Sequence, residues 1–402
     1  MKVCWKTWIL HLSNSQMMNN FSLFRKVLSY FVVWRIVLFA VAFLATLVIT
    51  NFGNRFPYAD TVLSITGLPN WVWGFGNFDG VHYLRIAQNG YTAEFTRAFF
   101  PLYPLLIRFI NFLPKGGLDL RIYTDPSYFY TGMFLSGIFF IPALYFLFKL
   151  WKEEYSQKVA NIVLLLLLSF PTAFYFGAVY SEALFLLLTV LVFWFTKKDK
   201  FLLAGIFAAL AAATKIQGTL LFIFLAIELW SKHKKCWTDL LGVIISPLGL
   251  VAYMILLQQS VGDPLYFLTS QPLFGAERSS LPIILLPQVI YRYIKIFLSV
   301  EPISLTYFIA FLEFLVTGAL ITGLIWAFKK IKLSYWVFVV LAVIMPTLTG
   351  TLSSMPRYAL LAFPLLPLIT LRFNKATRYI IIAQAVLQAV LLTLFIRGYW
   401  VA

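Results

Sequence analysis

The sequence predicts an all-α polytopic membrane protein of about eleven transmembrane helices, on the strength of composition and of patterning. Of its 402 residues, 61% are hydrophobic and only 12% charged, about half the charged share of a soluble domain. Mean hydropathy is +0.86. Runs such as 162–178 are continuously apolar and lack the alternation of an outer-membrane barrel. The net charge of +17 reads as cytoplasmic loop charge that sets orientation, so membrane lipids are expected partners and nucleic acid is not.

Taken in order, residues 1–28 form a cytoplasmic segment with several lysines and no small-residue cleavage site. The first span covers about Tyr30–Thr50. A first outer loop, 51–126, follows; its Phe99–Leu113 portion, with Pro101 and Pro104, reads as an interfacial or re-entrant helix. Spans then begin near Tyr128, Val159, Ala183, Phe201, Thr219 and Leu240, separated on the inside by Lys149–Glu154, Lys197–Lys200 and Lys232–Lys235. A second outer loop occupies 258–300, and the last four spans begin near Ser304, Ser334, Tyr358 and Tyr379. The chain is thus a single membrane domain, N-terminus inside and C-terminus outside. Cys4 and Cys236 both fall beside cytoplasmic lysines, where a structural disulfide is not expected.

This topology leaves Asp79, Glu182, Lys215, Asp263, Glu277, Arg278, Arg292 and Arg357 on the outer side. The first outer loop is the densest, with Asn77, Asp79, His82, Arg85, Gln88, Asn89, Glu94 and Arg97. Asp79, between Gly76 and Gly80, suits a general base, the glycines allowing close approach to a ligand; an Asp in Asn-Phe-Asp-Gly is also a common turn former. His82 and Tyr83 suit sugar hydroxyls or simple packing. Glu182 is either a second carboxylate for the substrate or a dipole-favoured residue behind an N-capping Ser181. Lys215 is either a phosphate ligand or a cation at a helix C-terminus. Arg357 follows Pro356 at a helix start, the unfavourable end for a cation, which suggests a bound anion; snorkelling to headgroups is the alternative. There is no Asp-x-Asp pair for a metal-held nucleotide sugar, no Walker A sequence and no Cys/His cluster, so neither a metal nor a soluble cofactor is expected.

These residues resemble a known family. Phe78-Asp79-Gly-Val-His82-Tyr83 through Gly90-Tyr91, then Ala98-Phe-Phe-Pro101-Leu-Tyr-Pro104, are similar to the first outer loop of the PIG-V-type (GPI mannosyltransferase II) family and its prokaryotic relatives, which have the GT-C fold. Tyr180-Ser181-Glu182, Thr214-Lys215-x-x-Gly218, Gly262-Asp263-Pro264 with Gln271, and Met355-Pro-Arg357-Tyr358 follow in the family's order. Phe78 stands where Trp is usual and Lys215 where Arg is usual. The resemblance implies an inverting mannosyltransferase that uses a polyprenyl-phosphate sugar as donor and a glycan, glycolipid or protein as acceptor. Asp79 would then be the base; Lys215 and Arg357, with Arg278 or Arg292, would stabilise the leaving phosphate; His82, Tyr83, Glu182 and Tyr358 would bind substrate. It implies a multi-pass protein of a prokaryotic cell membrane, or of the endoplasmic reticulum in a eukaryote, with its site on the outer face. A transporter or flippase for a lipid-linked sugar is the competing class, since short, proline-broken helices and intramembrane charges also serve transport.

Overall fold

The computed structural model of the protein describes residues 14–53, 63–64, 66–92, 94–115, 125–232, 236–280 and 283–402. Cys4, and with it the expectation about a disulfide, lies outside that set. Within it the chain is helical throughout, apart from one isolated bridge between Ile284 and Thr349.

Helix α1 (Asn14–Val48) runs for 35 residues, starting well before the expected span because residues 14–29 continue the same helix. Trp34, Leu38, Ala42 and Ala45 are buried along one stripe, whereas Val33, Ile36, Val37, Leu44 and Leu47 are exposed. A helix that is apolar on every side but buried on one is matched to lipid on the other. The first outer loop supplies α2 (Asp79–Asn89) and α3 (Leu102–Lys115). The α2 helix ends at Gly90, whose φ of 72° is the left-handed geometry that glycine accepts without strain. The stretch expected to be an interfacial or re-entrant helix is helical as α3, which begins three residues later than the sequence suggested.

The centre of the bundle comprises α4 (Pro126–Glu154), α5 (Gln157–Leu168), α6 (Glu182–Lys197), α7 (Phe201–Ala212) and α8 (Leu220–Trp230). Asp125 caps α4 by accepting from the Ser127 N–H, and Ser156 caps α5 by accepting from Val159 N–H. The α6 helix is apolar on every face and buried on nearly all of them, packed by α4 and α7. It is the axis of the molecule. Beyond it come α9 (Trp237–Ile245), α10 (Leu248–Val261), α11 (Leu286–Ser299), α12 (Leu305–Ala327), α13 (Leu333–Thr347), α14 (Leu366–Arg372) and α15 (Thr377–Ile396). In lipid, helices gain little from hydrophobic association and rely on close packing. Gly205 on α7 and Gly242 on α9 serve this, because a Cβ on Gly205 would collide with the Gly242 carbonyl.

Among the described residues, five helices are long and apolar enough to cross a membrane: Asn20–Val48, Pro126–Glu154, Trp237–Val261, Leu305–Ala327 and Thr377–Ile396. They mark an integral membrane protein. At the positions of the other six expected spans the helices are shorter or interrupted, so the structure gives five candidate spans where the sequence suggested about eleven. The interruptions share a design: 169–181 and, apart from the single turn Met355–Tyr358, 348–365 leave the α-helical path while still largely buried, and 213–219 does so half-buried. Irregular backbone at membrane depth is tolerated where protein or a cavity surrounds it, and these breaks are the segments that deliver charged side chains to one place.

Candidate active site

A cavity of about 590 Å³ opens between the two outer loops and the breaks at 213–219 and 348–358. Asp79, His82, Tyr83, Lys215, Arg278, Arg357 and Tyr358 all line it, together with the aromatic rings of Phe99, Phe274 and Trp400.

Asp79 is the first residue of α2, and the turn before it is held on three sides. The Tyr180 hydroxyl donates to Asn77 O (2.8 Å) and accepts from the Asp79 N–H (3.2 Å). The Asn77 amide donates to Phe395 O (2.8 Å) and Ile396 O (3.2 Å) at the end of α15. Between them Phe78 takes φ 58°, a conformation costly for a bulky side chain and therefore imposed by its surroundings. Phe78 packs against Trp400 and Phe395. Gly76 and Gly80 do not face the cavity as the sequence suggested: Gly76 admits Phe129, and Gly80 admits Val179 and Tyr180.

Lys215 extends from the break after α7. Gly218 makes that fold-back possible, because a Cβ there would overlap the Ala211 backbone. The Lys215 ammonium donates to Glu182 Oε1 at 2.6 Å. Glu182 is only 5% exposed and stands behind the wall instead of in the cavity. The expectation that it meets the substrate directly gives way to another role, that of counter-ion to two cations: Arg357 Nε lies 3.7 Å from the same oxygen. Ser181 does not cap α6 with its side chain; its hydroxyl is 2.9 Å from that of Tyr83.

Arg357 donates to Asp79 Oδ2 at 2.5 Å, so the four charged groups form an alternating series Asp79–Arg357–Glu182–Lys215. The helix-dipole argument for Arg357 fails, because Met355–Tyr358 is a single turn followed by 3₁₀ backbone; the anion that faces it is Asp79. The loop carrying Arg357 is fixed by a buried pair. The Tyr293 hydroxyl donates to Glu313 Oε2 (2.5 Å) and accepts from the Leu352 N–H (3.2 Å), while Glu313 Oε1 accepts from the Ser354 N–H (3.2 Å). Ser354 itself has φ 68°. A carboxylate this deep in an apolar span is costly unless hydrogen-bonded, and these bonds tie α11 and α12 to the Arg357 turn.

The remaining candidates divide. Arg278 reaches the cavity, 3.4 Å from Ser353 Oγ. Arg292 does not line it: its guanidinium donates to Gly350 O (3.0 Å) and Glu277 O (3.3 Å), clamping the outer loop onto the 348–353 break. Asp263 holds a local turn through the Leu265 N–H and the Thr269 hydroxyl. His82 stacks on Phe99 with centroids 4.7 Å apart. Burial pushes the His82 imidazole down to about 4, so it is neutral near pH 7. For Asp79, burial acts to raise the pKa, but the charge and hydrogen bond of Arg357 outweigh it and hold the carboxyl below its ordinary value. Burial also raises the Tyr83 phenol well above its ordinary value, leaving it a hydroxyl. Among the described residues no three His, Cys, Asp or Glu side chains gather closely enough to hold a metal ion.

Residues 24–269 match the family model described as Mannosyltransferase (PIG-V). The chain belongs to the PIG-V mannosyltransferase family. Among curated relatives, GPI mannosyltransferase 2 of Drosophila pseudoobscura pseudoobscura is 30% identical over 137 residues, 33% of this chain and 28% of that protein. GPI mannosyltransferase 2 of Drosophila melanogaster is 28% identical over 114 residues, 28% and 25% respectively. The matched stretches therefore span about a quarter of the length of each relative.

In this PIG-V-family chain the matched segment contains Asp79, Glu182 and Lys215, whereas Arg278 and Arg357 lie beyond it and reach the site through the fold. Sequence reasoning missed Trp400, Phe99 and Phe274 as cavity walls, and Glu313 and Tyr293 as supports. Glu313 carries a signal that could have found it, as a lone acid inside the apolar run 305–327. Trp400, after the last span, carries none.

Proposed function

We propose that the protein is an inverting glycosyltransferase that moves a sugar, mannose on the family's evidence, from a polyprenyl-phosphate carrier to an acceptor hydroxyl at the outer membrane face. The observation that supports this best is the meeting of one carboxylate, Asp79, with three cations, Lys215, Arg278 and Arg357, on a single cavity. Leu268, Leu273 and Met345 give the same cavity an apolar side suited to a prenyl chain, and Phe99, Phe274 and Trp400 give rings suited to sugar faces.

In this reading Asp79 takes the proton of the acceptor hydroxyl while its oxygen attacks the anomeric carbon. The bond from that carbon to the phosphate oxygen breaks, and its electron pair leaves with the lipid phosphate. Arg357, Lys215 and Arg278 stabilise the charge that grows there. The Arg357–Asp79 contact adds a consequence. A carboxylate paired with arginine is a weak base, and an arginine paired with a carboxylate is a poor phosphate ligand. The donor phosphate competes with Asp79 for Arg357, so donor binding unmasks the base, with the acceptor following. Glu182 keeps both cations oriented from behind.

The test is to incubate purified protein with radiolabelled polyprenyl-phosphate mannose and a panel of glycan, glycolipid and protein acceptors. Label should reach an acceptor with the anomeric configuration opposite to that of the donor. Retained configuration would refute the single-displacement step, and label moved across a vesicle membrane without transfer would favour a carrier.

A further inference from the structure

A second cavity, about 460 Å³, lies at the other end of α6, lined by Lys197, Lys329, Lys330 and Lys332 with Glu154 and Tyr335. A 16-residue helix places it about 24 Å from the cavity that holds Asp79. Its charges come from three separate parts of the chain: the lysines from the end of α6 and the turn between α12 and α13, and Glu154 from the end of α4. One acid faces four cations. Glu154 Oε1 accepts from the Tyr335 hydroxyl at 2.9 Å and is 3.6 Å from both Lys197 Nζ and Lys332 Nζ. Glu153 approaches Lys197 at 3.8 Å but is held more closely by Lys198, at 2.8 Å. Lys329 and Lys330 lie over the rings of Phe328 and Trp326, and Lys329 takes φ 59° to turn toward the cavity.

Orientation charge alone asks only for lysines near a membrane face; it does not gather them around a concave site. Close to these lysines in the chain, Ile325 near the end of α12, Phe328 just after it and Leu333 at the start of α13 are exposed apolar side chains. An acyl chain lying along that surface would end with its headgroup among the lysines. We propose that this cavity binds the phosphate headgroup of an anionic membrane lipid.

The experiment uses the full chain in nanodiscs of mixed phosphatidylcholine and phosphatidylglycerol, with native mass spectrometry counting the lipids retained after delipidation. Wild type should keep phosphatidylglycerol selectively, and K329Q/K330Q/K332Q should lose about tenfold of it. A charge-matched control, K152Q/K158Q/K375Q, alters exposed lysines outside the cavity and should behave as wild type. Glu154→Gln, which removes the competing acid, should raise retention, a gain that misfolding cannot imitate. Equal losses in the two triple variants, or unchanged retention in both, would overturn the proposal. So would release of the bound lipid by millimolar inorganic phosphate with no preference between the two lipids, which would assign the site to a free anion.

Discussion

The two ends of α6 carry similar charges and use them differently. At Glu182 the cations Lys215 and Arg357 are interlocked with two acids, largely buried, and delivered by breaks in three helices. At Lys197 the cations stand on helix ends and a surface turn and outnumber a single glutamate four to one. The contrast shows how the same residue types do two jobs. Charges meant for chemistry are pre-positioned by partners whose removal leaves something buried and unpaired. Charges at the proposed headgroup site rely on excess and on gathering around one concavity, and each is worth little alone.

The comparison breaks if the cations around Glu182 prove as replaceable as those around Glu154. Arg357→Ala is the largest expected effect. On the proposed mechanism it removes a phosphate ligand; it also strands Asp79 and leaves Glu182 with Lys215 alone, and should weaken donor binding by about 10²-fold in equilibrium binding, in line with truncation of a buried charge pair. Tyr293→Phe comes next. It leaves Glu313 and the Leu352 N–H short of a partner, costs about 1–3 kcal/mol in denaturant melts, and should lower kcat more than it changes donor KM, because it loosens the Arg357 turn.

A pH series sharpens the picture further. The folded-state pKa of Asp79 is depressed and that of His82 is about 4, so neither changes charge between pH 5 and 8, and kcat/KM should be flat there. Stability should not be flat. The unfolded chain protonates His82 near pH 6.5, whereas the folded protein resists until about 4, so stability falls as pH drops through that window. His82→Phe, which keeps the stack on Phe99, should reduce the loss of Tm between pH 7 and 5. The smallest effect belongs to the Lys197 end of α6: K329Q/K330Q/K332Q should leave transfer in neutral detergent within about twofold of wild type.

Much of this architecture is legible in the sequence, because bilayer thickness and loop charge constrain it strongly. Long apolar runs locate α1, α4, α12 and α15, and the sequence reading groups Asp79, Lys215 and Arg357, which line one cavity in the structure. What escapes is depth. Pro171, Thr172 and Gly177 mark a break between the spans that begin near Val159 and Ala183, but nothing in 169–181 tells that the break stays buried and lets Glu182 start α6 behind the cavity wall. Arg292 and Arg278 sit in the same loop with the same charge, and only the approach of Gly350 to one and Ser353 to the other separates a clamp from a cavity residue. Pairing is equally hidden: Arg357 and Asp79 are 278 positions apart, and local sequence led to a helix dipole where a carboxylate stands.

The account rests on Arg357 exchanging Asp79 for the donor phosphate, and donor affinity in Asp79→Asn tests that most directly. With the intramolecular competitor gone, the variant should bind polyprenyl-phosphate mannose more tightly than wild type, while single-turnover transfer falls about 10²–10⁴-fold. Weaker donor binding, or transfer at the wild-type rate, would contradict it.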